Sequence, residues 1–242
     1  MRDIDAIAVL QDPVRRRLYE YVVAQGREVG RNEAAEAAGV ARTLAAHHLD
    51  KLTEVGLLES GSRRLTGRSG PGAGRPAKVY TRALTEHAVS LPARDYRTVA
   101  ELLAEAAEEA GLDVGLYAAA RRRGEALRGP AAPCGDLAEA MEVLAARGYE
   151  PHLEGFESPE GPESAESPEG APGAAPGSSG AVVRMRNCPF HAVAERFPPL
   201  VCGMNLALLE GLLGSDGPVR ASMDARPGEC CVVVAPSKNN ND

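Results

Sequence analysis

Five cysteines are the residues of this 242-residue chain with the most chemistry to offer. Cys134 stands alone in GPAAPCGD, whereas Cys188 (RNCPFH), Cys202 (PLVCGMN) and the adjacent Cys230 and Cys231 (RPGECCVVV) lie in the last quarter. Thirteen residues separate Cys188 from Cys202, and twenty-seven separate Cys202 from Cys230. Thiolates converging from loops hold iron–sulfur clusters, usually in fours. Zinc is the rival, because Cys₃His is a standard zinc set, although the spacing lacks the short C-x₂₋₄-C pair usual in zinc modules. Read as an enzyme, Cys188 with His191 offers a nucleophile and a base but no third orienting group and no oxyanion motif. Catalysis is therefore not expected.

The elements around these thiols explain how they can meet. HLEGF and AVVRMRN read as strands of one small sheet, a helix covers about Pro199–Leu213, and VRASMD and CVVVA are further strands. Cys188 then ends a strand, Cys202 begins a helix or the turn before it, and Cys230 follows the Pro227-Gly228 turn ahead of a strand. The fourth ligand is open between Cys231, His191 one helical turn past Cys188, the carboxylate of Glu229 and an outside thiol. Cys231 leads into VVV and also suits a small buried hydrophobe. DLAEAMEVLAARG forms an amphipathic helix capped by Asp136, and Asp95 to about Arg128 forms two more, broken at Gly111. ESPEGPESAESPEGAPGAAPGSSG, residues 157–180, has no apolar content to offset ordering entropy and reads as a disordered acidic insertion.

The front of the chain has a different character. Asp12-Pro13 starts a helix, with a capping carboxylate before a proline at the first helical position, and Gly26 ends it. Asn32 is expected to cap a short helix closed by Gly39. ARTLAAHHLDKLTEV follows, with an apolar stripe through Leu44, His48 or Leu49, Leu52 and Val55. Two short helices joined by a tight turn make a helix-turn-helix. Leu57–Ser60 and Lys78–Thr81 read as two strands, and residues 61–82 carry Arg63, Arg64, Arg68, Arg75, Lys78 and Arg82 without one acid. A glycine-rich basic hairpin after a helix-turn-helix is a wing.

Charge follows the same division. Residues 1–90 hold 14 Lys/Arg against 11 Asp/Glu, and residues 91–242 hold 13 against 23, so +3 and −10 sum to the net −7. A basic front joined to an acidic rear suits a nucleic-acid reader with a separate sensing part. No run reaches the ~18 apolar residues of a membrane helix, and MRDIDAIAVLQDP lacks a signal peptide's cleavage site. The odd cysteine count fits reduced thiols in the cytoplasm.

DPVRRRLYEYV, AEAAGVARTLAAHHLDKLTEVGLLES and GPGAGRPAKVY resemble the ArsR/DeoR-like winged-helix transcriptional regulators. A recognition helix of that kind fits the ~12 Å major groove with its first residues nearest the bases. Here those are Arg42, Thr43 and His47. Lys51 is expected on phosphate, and Arg63, Arg64, Arg68, Arg75 and Lys78 along the backbone or in the minor groove. The plain alternative for Arg42 and Thr43 is a solvated helix start.

The rear wording, NCPFH…PLVC…LLEGLL…PGECCV, resembles the iron–sulfur repressors of the Suf cluster-assembly operon. That resemblance implies Cys188, Cys202 and Cys230 as ligands of a 4Fe-4S or 2Fe-2S cluster, with DNA binding under cluster control. The expected fold is α+β: an N-terminal winged helix-turn-helix over 1–90, a helical linker and dimerisation segment over 91–130, and a small α/β sensor domain over 131–236. Residues 237–242 form a disordered tail. The expected partners are operator DNA and a second copy of the chain. The competing reading is a zinc- or small-molecule-responsive regulator without redox chemistry.

Overall fold

The computed structural model describes residues 2–63, 76–155 and 180–237. It divides into two compact units, Met1–Arg94 and Asp95–Asp242. The mixed α+β class holds in both. The wing arginines Arg64, Arg68 and Arg75, nearly all of the acidic insertion and all of the tail beyond Ser237 lie outside the described residues.

The first unit contains α1 (Arg2–Val9), α2 (Pro13–Gln25), β1 (Val29–Gly30), α3 (Arg31–Ala37), α4 (Arg42–Glu54), β2 (Leu58–Arg63) and β3 (Ala77–Arg82). Asp12 caps α2 as its type requires, accepting from the Val14 and Arg15 amides at 2.9 Å each. Gly26 closes the helix at φ 59°, a left-handed conformation that costs glycine nothing. Asn32 does not cap α3. Gly30 holds the cap position, and Asn32 lies inside the helix. Strand β1 was not foreseen, since two residues carry no alternation; it pairs antiparallel with β3 through Val29↔Tyr80. The sheet order is β1-β3-β2, and β2 and β3 form the hairpin expected at the base of a wing. Leu18, Val22, Leu49, Leu52, Leu58 and Tyr80 meet in one core beneath the helices.

The second unit contains α5 (Tyr96–Glu109), α6 (Asp113–Arg128), α7 (Leu137–Ala145), β4 (Pro151–Glu154), β5 (Val182–Met185), α8 (His191–Ala194), α9 (Pro198–Leu213), β6 (Val219–Met223) and β7 (Val232–Pro236). Helices α5 and α6, expected as a separate linker, thus group with the sensor elements. Its sheet is antiparallel in the order β4-β5-β7-β6. Nine of the sixteen residues of α9 are buried, which makes it the central helix of this unit. Backbone approach sets its fit to α6. A Cβ on Gly124 would overlap the Leu208 carbonyl oxygen, and one on Gly211 would overlap the Arg121 carbonyl oxygen. Only glycine on both helices permits this distance. Among the described residues, no helix is long and apolar enough to cross a membrane.

Candidate functional sites: a basic helix-turn-helix face and a cysteine centre

Helix α4 turns Ala45, His48, Leu49 and Leu52 into the core, which leaves Thr43 and His47 exposed on the opposite face and Arg42 exposed at the helix start. Its first turn carries no acid, so the helix dipole and Arg42 both present positive potential. A concave surface beside it, between α3 and the β2–β3 hairpin, is lined by Arg27, Arg31, Arg42, Arg63 and Lys78 together with Glu28 and Glu33. The other expected contacts are already engaged within the protein. Lys51 Nζ lies 3.0 Å from Glu54, and Arg63 lies 3.2 Å from Glu28. The Lys78 ammonium is turned to Asp50 at 2.7 Å.

Asp50 organises this face. Its carboxylate accepts from Tyr80 at 2.6 Å, Lys78 at 2.7 Å and Arg31 at 3.1 Å. Burial pushes its pKa up, but hydrogen bonds from Lys78 and Tyr80 outweigh that and hold it below the usual carboxylate range. Burial and the Asp50 hydrogen bond push the Tyr80 phenol up to about 12. His48 is buried, and burial lowers its pKa; its Nδ1 makes no hydrogen bond. It packs the inner face of the helix.

Residues 10–61 match the sequence model of a helix-turn-helix domain family. The first unit carries a helix-turn-helix domain. The match and the basic face of α4 support a DNA-binding transcriptional regulator of winged-helix type. No curated protein matches the chain, and no solved structure does.

In the second unit the structure brings four of the five cysteines into one neighbourhood. Cys188 follows β5 and packs against the core that holds Cys230, close enough for the two thiols to influence each other's ionisation. Cys202 lies in the second turn of α9, rather than at its start, and forms a disulfide with Cys231 across a Cα–Cα distance of 6.4 Å. Helix α9 and the approach to β7 thus bring the two residues within bonding range. The disulfide removes Cys231 from the role of small hydrophobe, since Cys230 is the more buried of the pair. Cys134 is buried in the apolar core, tied by its backbone to Leu213.

Two residues that the sequence reading passed over complete the centre. The Asn205 side chain is only 1% exposed, and its Nδ2 donates to Cys230 Sγ at 3.4 Å. Tyr149 donates its hydroxyl to Asn205 Oδ1 at 2.5 Å. A lone amide in the apolar run of α9 was the available signal, because a buried polar group needs partners. The Cys188 hydrogen bond draws Cys230 below the ordinary thiol range against its burial. Sharing that proton, and burial, raise Cys188. Burial and the two neighbouring sulfurs raise Tyr149.

The remaining ligand candidates lie elsewhere. His191 is exposed, with Nε2 3.2 Å from Glu195. Glu229 is engaged by His152 at 3.4 Å and by the fully buried Arg184 at 3.7 Å. Arg184 also joins Glu154 and Asp224, and so anchors the loop that delivers Cys230 and Cys231. Among the described residues, no group of three or more His, Cys, Asp or Glu is arranged to hold a metal ion. Thiolates are the donors that iron–sulfur clusters take. Reduction of the one disulfide frees two thiols, which with the free Cys188 and Cys230 makes four, beside a buried amide that already donates to sulfur.

Proposed function

We propose that this protein is a homodimeric, cytoplasmic repressor of iron–sulfur cluster assembly genes, whose hold on operator DNA depends on a cysteine-ligated iron–sulfur cluster in the second unit. The observation that carries this reading is the gathering of Cys188, Cys202, Cys230 and Cys231 from three separate elements, in a chain that also bears a helix-turn-helix. Cys188, Cys202 and Cys230 are the assigned ligands, and Cys231 is the nearest fourth. His191 is ranked behind it, as its ring faces solvent and Glu195. When bound, such a cluster supplies redox lability, because loss or oxidation of one centre releases several thiolates at once.

The chain's own residues transmit that event. Ligands on α9 and on the 228–231 loop tie the sheet to the helix, and α9 lies against α6 with glycine on both sides. Loosening the loop alters how α9 is held, and thereby α6 and the helical surface that sets the separation of two recognition helices. Two such helices read half-sites related by a two-fold, which is why a dimer is proposed.

The test is anaerobic reconstitution with iron and acid-labile sulfide analysis. Wild type and Cys134→Ser are expected to turn brown and hold equal sulfide, and Cys188→Ser, Cys202→Ser and Cys230→Ser to lose the absorption band. A Cys188→Ser protein with the full band overturns the ligand set. A zinc-responsive regulator is the second reading, since four thiols are also a structural zinc set. Its protein is colourless and contains zinc without sulfide.

A further inference from the structure

Cys230 and Cys231 are chemically identical neighbours, yet they take different partners. Cys230 faces Cys188, and Cys231 is bonded to Cys202. Backbone contributes to this division: the Cys230 amide donates to the Met185 carbonyl at 2.9 Å, and the Cys231 carbonyl accepts from the Asp224 amide at 2.8 Å. Neither bond acts on a sulfur atom. The side chain that does is Asn205, three residues after Cys202 and so on the same face of α9. Its oxygen is occupied by the Tyr149 hydroxyl, which leaves its N–H groups directed at Cys230. Tyr149 is itself buried, so the amide is locked by a donor that has no water to turn to.

We propose that Asn205, oriented by Tyr149, is the positioning residue of the cysteine centre: its amide holds the Cys230 sulfur beside Cys188 and reserves Cys231 for Cys202. The assignment deepens the cluster reading and rests on it for one consequence only. An N–H donor on a ligating sulfur withdraws electron density and raises the reduction potential of an iron–sulfur centre. The sorting of the two cysteines needs no metal.

Two measurements on the full chain separate these consequences. In the first, metal-free reduced protein is oxidised with hydrogen peroxide. Each disulfide formed from two thiols consumes one peroxide and releases two waters. The linked peptides are then mapped by mass spectrometry without reduction. Wild type gives the Cys202–Cys231 linkage in large excess over Cys202–Cys230. Asn205→Ala is expected to lower that ratio roughly fivefold to tenfold, the effect of one lost hydrogen bond to sulfur. Tyr149→Phe, which keeps the ring and frees the amide to rotate, moves it in the same direction by less, and decides the matter should Asn205→Ala not fold. Unchanged ratios in the folded variants overturn the proposal and assign the sorting to the backbone alone.

In the second, reconstituted Asn205→Ala shows a more negative cluster midpoint potential than wild type at equal iron and sulfide content. An unchanged potential with a changed linkage ratio confines Asn205 to sorting and overturns its effect on the cluster. Absence of a cluster in wild type sinks the cluster reading and leaves the first measurement intact.

Discussion

The Tyr80 hydroxyl and the Asp50 carboxylate, 2.6 Å apart, join the wing strand to the recognition helix. Tyr80 is fully buried in β3, and Asp50 stands on α4, so the bond fixes one DNA-facing element against the other. A hydrogen bond to a charged acceptor is worth about 1.5–3 kcal/mol, less where the acceptor is partly solvated as Asp50 is. Tyr80→Phe is expected to cost about 1–2 kcal/mol in urea unfolding and to weaken DNA binding more than any single exposed arginine on the wing. A loss below about 0.5 kcal/mol shows the bond to be incidental.

Arg42 and Arg63 differ in what surrounds them. Arg42 is exposed at the start of α4 with no ion-pair partner among the described residues, whereas Arg63 already faces Glu28. Arg42→Ala should relax sequence preference in a binding selection. Arg63→Ala should lower affinity evenly across sequences and reduce the salt slope by about one. Equal loss on all sequences from Arg42→Ala returns that residue to the role of phosphate contact.

Acid weakens the first unit through His48. Burial lowers its pKa in the folded state, with Asp12 opposing in part. The unfolded chain then binds a proton more readily than the folded one. Stability is therefore full above the ordinary histidine value of about 6.5 and is lost as pH falls below it. Thermal melts at pH 7.5 and 5.5 should show a drop that His48→Leu makes smaller; a drop of the same size in the variant rules His48 out as its source.

Gly124 is required where α6 meets α9. Its added Cβ would meet the backbone of Leu208 and Leu212, neither of which can swing aside as a side chain can. Gly124→Ala is expected to cost about 2–3 kcal/mol by chemical denaturation, whereas Gly115→Ala, with open space around it, stays close to neutral.

Helix α5 buries none of its residues and shows Tyr96, Val99, Leu102 and Leu103 to solvent, at 73%, 54%, 60% and 66% exposure. The proposed dimer gives this stripe a partner. Leu102→Glu with Leu103→Glu should shift sedimentation from dimer to monomer and remove binding to a two-half-site operator. Wild type sedimenting as a monomer at all concentrations rejects the dimer. Leu116 and Leu127 of α6 differ from these two: Leu116 packs near Phe197 and Leu200, and Leu127 is only 36% exposed.

Local rules decide much of this protein from sequence alone. Asp12-Pro13 and Gly26 place α2, Asp95 and Asp136 cap α5 and α7, and apolar periodicity puts His48, Leu49 and Leu52 on the inner side of α4, although Leu44, expected on the same stripe, is exposed and Ala45 takes its place. Each depends on neighbours within a turn or two, so the string of residues contains the answer. The cysteine centre depends on contacts across twenty-five residues or more. Spacing could nominate Cys188, Cys202 and Cys230, but not divide Cys230 from Cys231, nor bring Asn205 to sulfur and Tyr149 to Asn205. Likewise Lys78 reads as a free cation until β3 is laid beside α4 and Asp50 receives it. A side chain's partner across the fold is set by packing of elements distant in sequence, and only the tertiary structure holds that information.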